Sequence, residues 1–162
     1  MCDQSRNSPV SPALVPAEKC IYAEARSRPE ARPALQELNA KMAAFGYTHM
    51  DRFAVRFAVG EALSNALLHA HHNDPAKVVR LGFLVMPDYV LAEVTDQGNG
   101  FDPAQVPNPM VDADPPRETG RGIFMMRLMM SWIRFDCQGR RVTMCKMRSN
   151  VTPQSSNRNR TA

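Results

Sequence analysis

Aromatic residues are scarce in this chain, at 7% of 162 residues with a single tryptophan. Nucleic-acid-binding surfaces interleave aromatics with a dense basic face, so the mild excess of 20 Lys and Arg over 16 Asp and Glu gives such a role little support. Much of that excess lies near the ends, at Arg26, Arg28 and Arg32 and then at Arg148, Arg158 and Arg160 in an acid-free tail. The four cysteines, Cys2, Cys20, Cys137 and Cys145, form no CxxC pair, which leaves zinc ribbons and dithiol redox motifs without their spacing. No apolar run approaches the ~20 residues that span a bilayer, and the first residues lack the apolar core of a secretory signal. Neither a GxxxxGK[ST] phosphate loop nor a dinucleotide fingerprint is present, and there is no internal repeat. These absences predict a cytoplasmic protein with reduced thiols, away from membranes and without direct nucleic-acid contact.

What the chain does have is enough apolar residue, 44%, for one ordinary core and one domain. Residues 1–16 carry three prolines and little periodicity and read as a disordered lead. The domain is expected over 17–148, with 149–162 a disordered polar tail. Lys19 to Ala25 alternates weakly, as a short first strand does. A helix is predicted over Ala34 to Phe45, with Leu35, Leu38, Met42 and Phe45 on one face, Pro29 and Pro33 at its entry and Gly46 as its stop. Thr48 is placed to cap the next helix, with Asp51 three residues on. Val78 to Met86 and Tyr89 to Thr95 read as a hairpin across Pro87-Asp88. From Pro103 to Thr119 four further prolines and several acids break all periodicity, as in a functional loop or lid. An apolar helix over Ile123 to Met130 follows, then a second strand pair, Trp132 to Cys137 and Arg141 to Met147, around Gln138-Gly139. This order predicts an α+β fold: a two-layer sandwich with a mostly antiparallel mixed sheet and helices on one face.

The second helix, from about Phe53 to His69, is apolar around most of its circumference. Even so, Glu61, Asn65 and His69 recur at i, i+4 and i+8 and form one polar stripe. A buried carboxylate without a partner is costly, so the stripe should face a polar cavity or ligand. Glu61 with Asn65 can supply a general base and a neutral oxygen for Mg²⁺, although a structural polar pair reads the same way. Asp96-Gln97-Gly98-Asn99-Gly100 directly follows a strand. Its acid can accept from an exocyclic amine and its glycines let a ligand approach the backbone, while Asn-Gly is equally a turn dipeptide. Gly120-Arg121-Gly122 opens a helix, where unpaired N–H groups suit phosphate, or serves only as a permissive entry. His69, His71 and His72 lack further ligands at metal-binding spacing; His71 or His72 is expected as a helix-end cation. The methionines Met125, Met126, Met129 and Met130 are expected to fill the core.

Taken together, Glu61-x-x-x-Asn65, Asp96-x-Gly98-x-Gly100 and Gly120-x-Gly122 resemble, in order, the boxes of the histidine-kinase-like (GHKL) ATPases. The wording Val-Gly-Glu-Ala-Leu-Ser-Asn-Ala-Leu-Leu-His-Ala from Val59, Asp-x-Gly-x-Gly-Phe-Asp from Asp96 and Arg-Glu-Thr-Gly-Arg-Gly-Ile-Phe-Met-Met from Arg117 is similar to the anti-sigma-factor serine/threonine kinases of that superfamily. The resemblance spans about Lys19 to Met147. It implies ATP and Mg²⁺ as cofactors, with Asn65 on the metal and Asp96 reading the adenine amino group. Gly98 and Gly100 would shape the nucleotide pocket, and Gly120, Arg121 and Gly122 would approach the phosphates. It implies a catalytic Glu61, taking the proton of a partner's hydroxyl, and Arg117 stabilising the γ-phosphate. It further implies a homodimer that holds a sigma factor inactive and phosphorylates an anti-anti-sigma (STAS-type) protein.

Two departures stand out against that pattern. The family's threonine after the Gly139 turn is replaced by Arg140 and Arg141, with Thr143 the nearest substitute for the adenine contact. Arg121 stands where a small or apolar residue is usual. An ATP-binding regulatory module without kinase activity and a detached histidine-kinase catalytic domain are the alternatives. Against the second, no helical segment with a phosphoacceptor histidine is legible before the first strand.

Overall fold

The computed structural model describes residues 20–105, 121–136 and 138–149. The expected lead, Arg117, Gly120, most of the lid and all of the tail but Ser149 lie outside them. Five strands form one sheet: β1 (Ile21–Ala25), β2 (Val79–Val85), β3 (Tyr89–Thr95), β4 (Trp132–Phe135) and β5 (Arg141–Met147). They lie in the order β1-β2-β3-β5-β4, and every pairing is antiparallel. Three α-helices, α1 (Arg28–Ala44), α2 (His49–Ser64) and α3 (Arg121–Met129), complete an α+β fold.

Period-two alternation decides which strand residues meet the helices. Val79, Leu81 and Phe83 of β2, Val90, Ala92 and Val94 of β3, and Val142 and Met144 of β5 pack with α1, α2 and α3 in one core. Leu84, Leu91 and Cys145 form a smaller cluster with Trp132 on the other face. Among the described residues no helix is long and apolar enough to cross a membrane.

Helix α1 starts six residues before the predicted Ala34, since Pro29 sits in its first turn, where a missing N–H costs nothing. Its buried stripe is accordingly Ala31, Ala34, Leu38 and Met42, while Phe45 is left exposed as the C-cap. Gly46, at φ +72°, ends it as expected. Its N–H donates to the Ala43 carbonyl (2.9 Å) and that of Tyr47 to Met42 (3.0 Å), the paired bonds of a Schellman motif. Helix α2 opens on the predicted cap, the Asp51 N–H donating to Thr48 Oγ1 at 3.0 Å. The Asp51 carboxylate does not close a reciprocal box. It accepts instead from the N–H (3.1 Å) and hydroxyl (2.7 Å) of Ser149, which fastens the end of β5 to the start of α2. Burial raises the Asp51 pKa, but these bonds, the cap contact and the Lys146 charge outweigh it and hold the carboxyl below its ordinary value.

Candidate nucleotide site

The long helix does not continue as an α-helix to its end. At Asn65 it widens into a π-helical turn, Asn65–Ala70, in which the His71 N–H reaches back to the Ala66 carbonyl at 2.9 Å. Single π turns inside α-helices recur at functional sites because they re-aim side chains that an α-helix would place elsewhere. Here the widened turn falls on the polar stripe. Glu61, Asn65 and His69 all line one cavity of about 760 Å³ between α2, α3 and the ends of β3 and β5. That is the size range of small-molecule sites.

The far end of the cavity is built by two loops. The Asp96 N–H donates to the Arg140 carbonyl (2.9 Å) and the Phe101 N–H to Gln138 (2.9 Å), so the segment after β3 runs beside the β4–β5 turn. Gly100 (φ +76°) and Gly139 (φ +70°) are required there. A Cβ on Gly100 would run into the Gln138 carbonyl, and one on Gly139 into the Phe101 carbonyl. Phe101 and Phe135 meet edge to face at 5.5 Å and give this end an apolar wall, to which Val94 and Val142 contribute. Asp96 lines the same end. Its Oδ1 accepts the Gly98 N–H at 2.7 Å, and no ion pair engages it among the described residues. Burial pushes its carboxyl above the ordinary value; the Gly98 bond and the nearby His71 and Arg140 oppose this in part. Gly98 packs on the helix end rather than lining the cavity, a Cβ there falling 2.7 Å from Ala70 Cβ.

The near end is formed where α3 begins. A Cβ on Gly122 would stand 2.5 Å from Glu61 Oε2, so only glycine lets the first turn of α3 come this close to the carboxylate. Among the described residues neither the Glu61 carboxylate nor the Asn65 amide has a hydrogen-bond or ion-pair partner, and both remain available to a ligand. Nine residues of helix, the last six in the π turn, separate the level of Glu61 from that of Ala70 under the Asp96 turn. The cavity is therefore long and polar at both ends. The Cβ-free cradle at Gly122 and the unpartnered oxygens of Glu61 and Asn65 fit a phosphate chain with its hydrated Mg²⁺.

Of the eight predicted site residues that are described, five converge here: Glu61, Asn65, Asp96, Gly100 and Gly122 line the cavity. Arg121 is exposed at the helix start, beside the cavity rather than in it. Thr143 does not converge. It projects to the sheet face opposite the helices, where its hydroxyl donates to Glu93 (3.4 Å), and the cavity wall at that level is Val142. Thr143, expected at the adenine contact, therefore lies away from the cavity: β5 turns Val142 and Met144 toward the helices. Of the two candidates for a helix-end cation, His72 is exposed and His71 is not. His71 is 2% exposed, and burial lowers its pKa. Sequence reasoning missed Phe101, Phe135, Gly139 and Val142 as lining residues; period two in the strands held the signal for Phe135 and Val142. No group of three or more metal-ligating His, Cys, Asp or Glu exists among the described residues.

The family profile described as the histidine kinase-like ATPase domain matches residues 23–146. The chain belongs to this family. Within it, the chain is 32% identical over 95 residues to the serine-protein kinase RsbW of Bacillus subtilis, covering 55% of this chain and 59% of that protein. It is 26% identical over 99 residues to the RsbW of Oceanobacillus iheyensis, covering 57% and 63%. It is 27% identical over 96 residues to an anti-sigma F factor of Clostridium botulinum, covering 58% and 67%. The matched stretch thus spans about three fifths of the two RsbW relatives' lengths. These relatives carry the names of serine-protein kinases and an anti-sigma factor, and the GHKL resemblance of the three boxes is supported by the family match.

Proposed function

We propose that the protein is an ATP-dependent serine/threonine protein kinase acting as an anti-sigma factor, which sequesters a sigma factor and phosphorylates an anti-anti-sigma (STAS-type) partner. The approach of Glu61 to Gly122, with Asn65 one turn along the same helix, carries this reading. It puts a carboxylate with no cationic partner among the described residues at a helix N-terminus, where a phosphoryl group and an incoming hydroxyl would meet. In this reading Asp96 accepts from the exocyclic amine of adenine, Gly98 keeps the Asp96 turn tight on the helix, and Gly100 holds that turn against the β4–β5 loop. The side-chain oxygen of Asn65 holds Mg²⁺, which when bound neutralises charge on the phosphates. The first-turn amides of α3, from Arg121 and Gly122, face the phosphates, where the family resemblance also assigns Gly120, and Arg117 stabilises the transferring group. Glu61 takes the proton of the serine or threonine hydroxyl as its oxygen bonds to the γ-phosphorus and ADP departs.

The names of the relatives support the choice of partner class, and the working unit is read as a cytoplasmic homodimer. Incubation with γ-labelled ATP and a STAS-domain protein tests the proposal. Transfer to a serine or threonine is expected, and Glu61→Ala should lower it by roughly 10²–10⁴-fold with ATP binding retained, the range for a lost general base. Transfer that is unchanged in Glu61→Ala contradicts the mechanism. ATP binding with no transfer at all would reduce the protein to a regulatory module.

A further inference from the structure

His71 lies directly under the turn that carries Asp96, and its ring is held in one protonation state by geometry. The π-helical turn ends there, and His72 and Asn73, at φ 54° and 57°, turn the chain away. The His71 backbone is tied at both ends, its N–H to Ala66 (2.9 Å) and its carbonyl to the Asp74 N–H (3.0 Å). Its Nε2 accepts the backbone N–H of Gln97 at 2.8 Å. A backbone N–H can only donate, so Nε2 is the bare nitrogen and the ring proton sits on Nδ1. That Nδ1 is buried without a hydrogen-bond partner among the described residues. Gln97 is the residue after Asp96, and its side-chain oxygen accepts the Val78 N–H at 2.8 Å, which fixes its other end to the chain entering β2. One residue before His71, Ala70 touches the place where Gly98 would carry a Cβ. The imidazole and Ala70 thus support the Asp96 turn from below.

We propose that His71 is a positioning residue for Asp96: its neutral imidazole anchors the Gln97 backbone so that the carboxylate faces the base end of the cavity, and its protonation releases the turn and weakens nucleotide binding. The proposal rests on the nucleotide reading of the cavity. Protonation at Nε2 sets one N–H against another, so the Gln97 bond cannot survive it. The charged groups around the ring are Asp96 on the turn, Asp74 on the chain leaving the helix, and Lys77 ahead of β2. The two carboxylates favour the cation and Lys77 opposes it. Burial is the largest influence and disfavours the cation, which puts the transition on the acid side of the ordinary histidine range.

Calorimetric titration of ATP–Mg²⁺ between pH 8 and pH 5.5 into wild type, His71→Gln and His71→Leu tests this. One neutral hydrogen bond corresponds to a roughly three- to tenfold change in affinity, and wild type should weaken by that factor on acidification. His71→Gln offers a non-titrating oxygen at the position of Nε2. It should bind as wild type at pH 8 and keep only the smaller acid loss that belongs to Asp96. His71→Leu should already be weakened at pH 8. A wild-type profile in His71→Gln, or wild-type affinity at pH 8 in a folded His71→Leu, overturns the proposal. A second measurement needs no nucleotide: the protection of the Gln97 amide from hydrogen exchange. Protection should fall in wild type on acidification and persist in His71→Gln; equal loss in both overturns the anchoring role. Absence of ATP binding by wild type at every pH overturns the nucleotide reading, while the exchange data still decide whether His71 holds the turn.

Discussion

Replacing Gly122 with alanine adds one methyl group in the first turn of α3, in a backbone conformation that alanine adopts freely, since the φ of Gly122 is not positive. Helix propensity alone favours the change by up to ~1 kcal/mol, less at a helix end than in its interior. The new Cβ would sit 2.5 Å from Glu61 Oε2, and an ordinary contact begins at 3.4 Å, so the carboxylate must withdraw by about 0.9 Å. Glu61 has a flexible side chain and an open cavity in front of it, so this movement costs the fold little. The melting temperature of the nucleotide-free protein should therefore hold or rise by ~2–4 °C. Chemistry responds in the opposite direction. A misplacement of ~1 Å in a reacting group can cost about 10²-fold in rate, and phosphotransfer should fall by that order. Thermal melting followed by fluorescence, and transfer of label from γ-labelled ATP, separate the two signs. A melting temperature lowered by more than 5 °C, or unimpaired transfer in Gly122→Ala, refutes the reasoning.

Three further perturbations follow from the geometry. Asp51→Asn should destabilise the fold by roughly 1.5–3 kcal/mol in urea unfolding at pH 7, the scale of a hydrogen bond to a charged group. Because the folded-state pKa of Asp51 is depressed, that advantage is present above the unfolded value and is lost as pH falls through the folded one. Wild type and variant should converge only below about pH 4, the unfolded range. Asp96→Asn should leave the nucleotide-free protein at least as stable as wild type at pH 7. Its folded pKa is raised, so charge on the half-buried carboxyl opposes folding once pH rises above the unfolded value; a lower melting temperature contradicts this. Gly100→Ala combines a left-handed φ with a collision against the Gln138 carbonyl, and should cost at least ~1–2 kcal/mol by denaturant unfolding; a neutral result would show that the two loops do not interlock.

The elements whose physics is local were legible in the sequence. The Thr48 cap, the Gly46 stop and the β2–β3 hairpin are set by neighbouring residues, and each was found where its chemistry predicts. The stripe of Glu61, Asn65 and His69 was legible for the same reason, one helix face carrying three polar groups in an apolar setting. Features that depend on the partner surface were less so. Phe53 lies two turns before the polar stripe begins at Glu61, and is 37% exposed because α2 buries its Val55–Val59 face instead. Thr143 shares a face with Arg141, and period two in β5 sets that face apart from Val142 and Met144; the family resemblance, rather than the strand pattern, had placed Thr143 at the cavity. The π turn at Asn65 leaves no mark in composition; it accompanies the placement of Ala70 and His71 under the Asp96 turn. Burial of His71 follows from it.

The most direct test of the account is calorimetric titration of ATP–Mg²⁺ into the wild-type protein and Asp96→Asn at pH 7.5. The account predicts a saturable 1:1 signal per chain for wild type and none for Asp96→Asn at the same concentrations, with both proteins folded. Equal binding by the two, or no binding by a folded wild type, would contradict the assignment of this cavity to a nucleotide.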